Sequence, residues 1–237
     1  MSSAVSEWGP EGARRFDGSV GAIVIVDVLS FSTCIDIAVS RGAIVYPFHY
    51  RDPTAALDAA RVLGAEVAGP RGSATDRFSL SPVSLSSIAA DTKLVLPSPN
   101  GSAISAAARS VPVLTGCLRN ARTVAKAAID VAAGRPIAVI PAGERWPDGG
   151  LRPAIEDLIG AGAILDVLDL PFSPEAEVAR QAYRGARPHL ASLLRDCESG
   201  RELRDRGFPE DVEAAIELNV SATAPILANG AYIARRS

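Results

Sequence analysis

Aromatic residues make up only 5% of these 237 residues, so Val, Ile, Leu and Ala must fill the core. Cysteine is scarce as well. Cys34, Cys117 and Cys197 are odd in number and far apart, with no CxxC pair. That pattern fits neither a disulfide framework nor a zinc knuckle, and Cys34 and Cys117 are expected to pack as small hydrophobes. Lysine occurs only at positions 93 and 126, the net charge is -3, and no basic stripe is present. There is no electrostatic case for a nucleic-acid partner. Long apolar runs are missing too. Ala22 to Val26 has a strand's length and cannot span a bilayer, so no membrane association is expected. Residues 1–18 lack the apolar stretch of a signal peptide, and a reducing cytoplasm is the expected compartment. His49 and His189 have no partner pattern and are given no role.

Familiar catalytic signatures are absent: no Walker A, GxGxxG, HExxH, GxSxG or Cys-x5-Arg loop. Val28-Leu29 after Asp27 breaks the Asp-x-Asp of haloacid-dehalogenase phosphatases.

What is present is an ordinary globular balance, 48% apolar and 22% charged. The length suits one large α/β domain or two small ones. Apolar runs and helical patterns alternate up to residue 168, which predicts a mostly parallel or mixed sheet covered by helices. Gly21 to Leu29 is continuous and apolar except for Asp27, as in a strand buried on both faces. Further strands are predicted at 43–48, 66–69, 93–96, 111–114 and 136–141. Helices are predicted at 32–41, 53–63, after Ser102, at 120–133 and at 151–168. Residues 70–86 read as a long functional loop. Helices at 174–197 and about 209–217, separated by a short turn, give a helical C-terminal portion. Asn229-Gly230 is a hairpin turn between two short strands. The simplest organisation is a single domain, 1–237, with the helical segment 174–217 inside it.

The chemistry is expected where strands end. A carboxylate at the C-terminal end of a buried parallel strand lies where open α/β sheets place ligands, which points to Asp27. Ser30, Ser32 and Thr33 lead into a helix whose free N–H groups suit a phosphate, although they also suit a plain helix cap. Asn100, Gly101 and Ser102 repeat this arrangement after a later strand. Glu144 and Arg145 lie in a third such loop. The next helix carries Glu156 and Asp157, a pair that from spacing alone reads as a solvated acidic first turn. Arg71, Arg119 and Asn120 are candidate anion clamps. Acidic groups gathered from several strands suit a hard cation such as Mg²⁺.

The order of these segments adds to that reading. Asp27-Val-Leu-Ser-Phe-Ser-Thr33, Ala68-Gly-Pro-Arg71, Ser81-Pro82, Pro99-Asn-Gly-Ser102, Leu118-Arg-Asn120, Pro141-Ala-Gly143 and Ile155-Glu-Asp-Leu-Ile-Gly-Ala-Gly162 resemble, in sequence order, segments of the 2-phosphosulfolactate phosphatase family. So does Ser199 to Asp211, which contains Gly-Arg-x-Leu and Gly-Phe-x-x-Asp. The resemblance implies a three-layer αβα fold and Mg²⁺-dependent hydrolysis of a phosphate monoester, in coenzyme M biosynthesis. It implies catalytic roles for Asp27, Glu156 and Asp157, with Asp27 either metal ligand or nucleophile; the gathered acids Asp27, Glu144 and Glu156 are the expected metal ligands. A homo-oligomer is compatible with it. Three departures stand out: Ser30 replaces a family Arg, Pro70 replaces a Glu, and Glu144-Arg145 takes the place of a less acidic pair. They keep open a second reading, a non-catalytic binder of a small anionic metabolite, and a third, another reaction class on the same scaffold.

Overall fold

A computed structural model describes residues 2–49, 53–73 and 76–235. The chain opens with β1 (Ala4–Ser6), α1 (Gly9–Phe16), β2 (Ala22–Val26), α2 (Phe31–Ser40), β3 (Ile44–His49), α3 (Pro53–Leu63) and β4 (Glu66–Val67). After a loop come α4 (Pro82–Leu85), β5 (Lys93–Ser98), α5 (Gly101–Ala107), β6 (Val113–Gly116), α6 (Ala121–Ala132) and β7 (Ile137–Pro141). A small hairpin of β8 (Glu144–Arg145) and β9 (Leu151–Arg152) precedes α7 (Ile155–Leu165). Then follow α8 (Pro174–Ala186), α9 (Leu190–Asp196), α10 (Glu198–Asp205), α11 (Pro209–Ile216), β10 (Pro225–Ala228) and β11 (Ala231–Ala234).

Among the described residues, nine strands form one mixed sheet in the order β1-β7-β2-β6-β10-β11-β3-β5-β4. The sheet has two parallel parts. One is β1, β7, β2 and β6; the other is β3, β5 and β4. The antiparallel hairpin β10–β11 joins them. Every residue of β2 is buried. Val24 and Val26 pack on one face of the sheet and Ile23 and Ile25 on the other, the two-sided burial that a continuous apolar strand implies. The first face is covered by α6, α7 and α8, and the second by α1 and α5. This is a three-layer α/β arrangement.

Helix α2 is buried almost all round. It packs against β3, β6 and β11, where the two parts of the sheet meet. Phe31 at its start meets Tyr232 of β11 edge to face, with ring centroids 6.0 Å apart. By hydrogen-bond direction, β3 and β5 run opposite to β2. The C-terminal ends of β2 and β5 nevertheless meet: Asp27, just after β2, accepts from the Gly101 N–H at the start of α5, just after β5.

Several sequence expectations need correction. The helix predicted at 151–168 is shorter: Leu151 and Arg152 pair as a strand and Pro153 precedes the helix. The helix predicted at 174–197 is broken by a 3-10 turn at Arg187–His189, around Pro188, as a missing N–H donor requires. The turn expected after residue 197 is mostly the helix α10. β1 and α1 were not foreseen. The Asn229-Gly230 turn is as expected, with both residues at positive φ, 51° and 81°, the conformation of a type I′ hairpin.

Candidate active site

β2 ends at Val26, level with Gly116 of β6 and Pro141 of β7. Asp27 follows immediately and is only 6% exposed. Its Oδ1 accepts from the Phe31 N–H at 3.0 Å and its Oδ2 from the Gly101 N–H at 3.1 Å. These donors open α2 and α5, so part of the N–H set expected to hold a phosphate already serves Asp27. Gly101 is required for this approach, because a Cβ there would fall 2.1 Å from the Phe31 ring. Burial raises the Asp27 carboxyl to a pKa of about 7, and Glu144 and then Glu156 add repulsion.

Three further acids surround it. Glu144 accepts from Asn100 Nδ2 at 2.8 Å. Burial raises its pKa, with Glu156 contributing and Arg152 opposing. Asp157 is 3% exposed. It accepts from the Val28 N–H at 2.7 Å and the Gly143 N–H at 2.9 Å, tying the loops after β2 and β7 together. Burial, then Asp27 and Glu156, raise its pKa well above the usual range. Glu156 is 2% exposed, so neither acid of the pair is the solvated helix turn that spacing alone suggests. α7 comes close enough for this because Gly160 faces Val28 and Val26, where a Cβ would fall 2.6 Å from Val28 Cγ2.

Opposite the acids stands Arg71. Its Nε donates to Asp211 at 3.1 Å and its Nη2 donates to Ser30 Oγ at 2.7 Å. Asp211 is 2% exposed and also accepts from Ser81 Oγ and the Val83 N–H. Arg71 thus points at Ser30, where the family pattern has its own Arg. A cleft of about 190 Å³ lies between the two sides, lined by Asp27, Ser30, Arg71, Asn100 and Glu144. Ser199, Glu202 and Arg206 of the α10 region complete it. These three and Asp211 were not among the sequence candidates. Ser199 and Asp211 end the last segment of the resemblance, which was the available signal.

Other candidates serve the scaffold or lie elsewhere. Ser32 Oγ accepts from the Asp27 N–H and shares a 2.7 Å bond with Thr115 Oγ1. Thr33 Oγ1 donates to the Val28 carbonyl. Ser102 Oγ donates to the carbonyls of Phe48 and Ser98. Arg119 is not brought to the cleft: Asp36, the Ala214 carbonyl and Glu217 take its guanidinium. Asn120 bonds the Cys117 N–H and the Thr223 carbonyl. Arg145 is exposed and donates to the Gly149 carbonyl. Cys34 and Cys117 are fully buried, and burial pushes the Cys117 thiol up to about 12.

The negative charge of Asp27, Glu144, Glu156 and Asp157 exceeds what Arg152 offsets, and protons or a cation must balance the rest. Among the described residues no three His, Cys, Asp or Glu side chains are grouped as a metal cage. Mg²⁺ commonly takes only one or two carboxylates and completes its shell with water and phosphate oxygens. Asp27 and Glu144 fit that requirement.

Comparison with known proteins bears on what this cleft handles. The sequence model of a family described as 2-phosphosulpholactate phosphatase matches residues 11–230. The chain is 32% identical over 219 residues to the 2-phosphosulfolactate phosphatase of Methanothermobacter thermautotrophicus, covering 92% of this chain and 91% of that protein. It is 28% identical over 213 residues to a probable 2-phosphosulfolactate phosphatase of Carboxydothermus hydrogenoformans, covering 86% and 85%.

Proposed function

The chain belongs to the 2-phosphosulfolactate phosphatase family, and from that premise we propose that it is a phosphoric monoester hydrolase acting on the phosphate ester of a small hydroxy acid. The observation that carries the proposal is the two-sided cleft. A buried carboxyl of raised pKa, held by two backbone N–H groups, faces a guanidinium aligned by a buried Asp.

Asp27 lies at the reacting centre, as nucleophile toward phosphorus or as a metal ligand. Asn100, already bonded to Glu144, offers its amide to a phosphate oxygen. Arg71 and Arg206 hold the acid's anionic groups across the cleft, with Asp211 as a positioning residue for Arg71. Mg²⁺ is the proposed cation, held by Asp27 and Glu144 with Glu156 behind them; when bound it neutralises phosphate charge and stabilises the transferring group. The relatives named as phosphatases give the binding-protein alternative no support.

The test is phosphate release from p-nitrophenyl phosphate and a phospho-acid series, with Mg²⁺ and with EDTA. Metal-dependent turnover of at least one ester is expected. Failure of every ester under both conditions removes the phosphatase reading, and turnover unaffected by EDTA removes the metal.

A further inference from the structure

A second cavity, about 650 Å³, adjoins the Asp27 cleft. The two share Arg71, Leu80, Pro99 and Arg206 as a common wall. Beyond that wall the surfaces are largely apolar: Ala56 and Leu57 from α3, Val67 from β4, and Ala68, Gly69, Pro70 and Pro97 from the loops and strand beside it, with one carboxylate, Asp76, completing the lining. Leu57 is half exposed, an apolar side chain facing open space. Pro70 stands where the family pattern has a Glu, so this wall has lost a charge.

We propose that the larger cavity is a subsite for an apolar side arm, so that the substrate is the phosphate ester of a hydroxy acid bearing an aryl or branched alkyl group. The phosphate lies toward Asp27 and Asn100, the carboxylate meets Arg71 and Arg206 at the neck, and the arm enters the apolar chamber. Arg71 is pre-aimed at this neck by Asp211 and Ser30. A chamber of this volume and lining matches pockets that enclose compact apolar groups. With Arg71 and Arg206 taken by the carboxylate, a sulfonate entering the chamber would give up its water with no further cation to meet and with Asp76 on the wall, which is costly, whereas a phenyl ring gains by leaving water. The proposal rests on the phosphatase reading for its phosphate position, and on the cavity alone for the apolar arm.

The experiment compares 2-phospho-3-phenyllactate, 2-phospholactate and 2-phosphosulfolactate. Steady-state kinetics are measured with wild type, and calorimetric binding with wild type and Asp27→Asn. The same set is repeated for Leu57→Glu, which puts a charge on the chamber wall far from the reacting atoms. The phenyl ester is expected to exceed both others in kcat/KM and in affinity by about tenfold or more. Leu57→Glu should abolish that margin and leave 2-phospholactate turnover unchanged. Tighter binding of the phenyl ester without hydrolysis of any ester would support the subsite and sink the phosphatase reading. Hydrolysis with no advantage for the phenyl ester in rate or affinity would do the reverse. If none of the three esters binds, the subsite proposal falls, and so it does if Leu57→Glu leaves the phenyl margin intact.

Discussion

Replacing Asp27 by Asn keeps the side chain's size and one acceptor but removes its charge and its titration. Loss of one major electrostatic contributor typically costs about a hundredfold or more in rate, and that loss is the expected outcome for kcat of a folded Asp27→Asn protein. Unchanged kcat would exclude both roles proposed for Asp27. Ser30 is the second informative position. Arg71 already donates to it from another loop, so the cleft keeps one guanidinium where the family has its own Arg. A charge-assisted bond is worth about 1.5–3 kcal/mol. Ser30→Arg should therefore raise kcat/KM for 2-phosphosulfolactate relative to 2-phospholactate by about one to two factors of ten. A variant that only slows both esters alike would show that Arg71 supplies this charge fully. At this scale Asp27 was legible, because a charge inside an apolar strand needs a reason. Arg119 was not: in sequence it looks like Arg71, and only the fold sets Asp36 beside its guanidinium, 3.0 Å away.

Helix α7 carries two neighbouring acids with different tasks. Asp157 satisfies two N–H groups, on Val28 and Gly143, that fix the loops flanking the cleft. Ala there strands two donors, at about 1–3 kcal/mol each, so a marked drop in Tm is expected. Glu156 instead adds to the repulsion on Asp27. Glu156→Gln should leave Tm nearly unchanged while the acidic limb of the rate profile moves to lower pH, because Asp27 ionises more easily. Equal, negligible effects from the two changes would mean neither acid serves the site. The elements themselves were unevenly legible. A continuous apolar run marked β2, and helical patterns marked α3 and α6. α10 reads as a turn because Glu198 to Asp205 is polar throughout except for one buried apolar side chain, Leu203, and Ser199, Glu202 and Arg206 were missed with it. β1 is three residues long, too short for any period to show.

For the whole molecule, the acidic cluster ties stability to pH. Asp27 titrates near 7 when folded and near the ordinary 3.8 when unfolded. Between those values the folded chain holds a proton that the unfolded chain has released. This contribution to stability therefore falls as pH rises from about 4 to about 7 and is level above. A cation at the cluster replaces the proton, so Mg²⁺ should raise Tm at pH 8 and have little effect at pH 5. Asp27→Asn should lose most of that response. Scanning calorimetry with Mg²⁺ and with EDTA checks this, and an equal Mg²⁺ response at both pH values would place the ion elsewhere.

The hairpin β10–β11 occupies the middle of the sheet although it comes after every other described strand in sequence. During synthesis the strands of both parallel parts emerge before the hairpin. Until residues 225–234 leave the ribosome, however, β6 and β3 each present an unpaired edge, the kind of template that invites association with other chains. The nascent protein thus passes through a stage with two half-sheets and no closure between them. A chaperone that shields strand edges would act in that interval, and a stop codon just before Pro225 would leave the chain in it permanently, with all its proposed catalytic groups made but no central strands to hold the two sides of the cleft together.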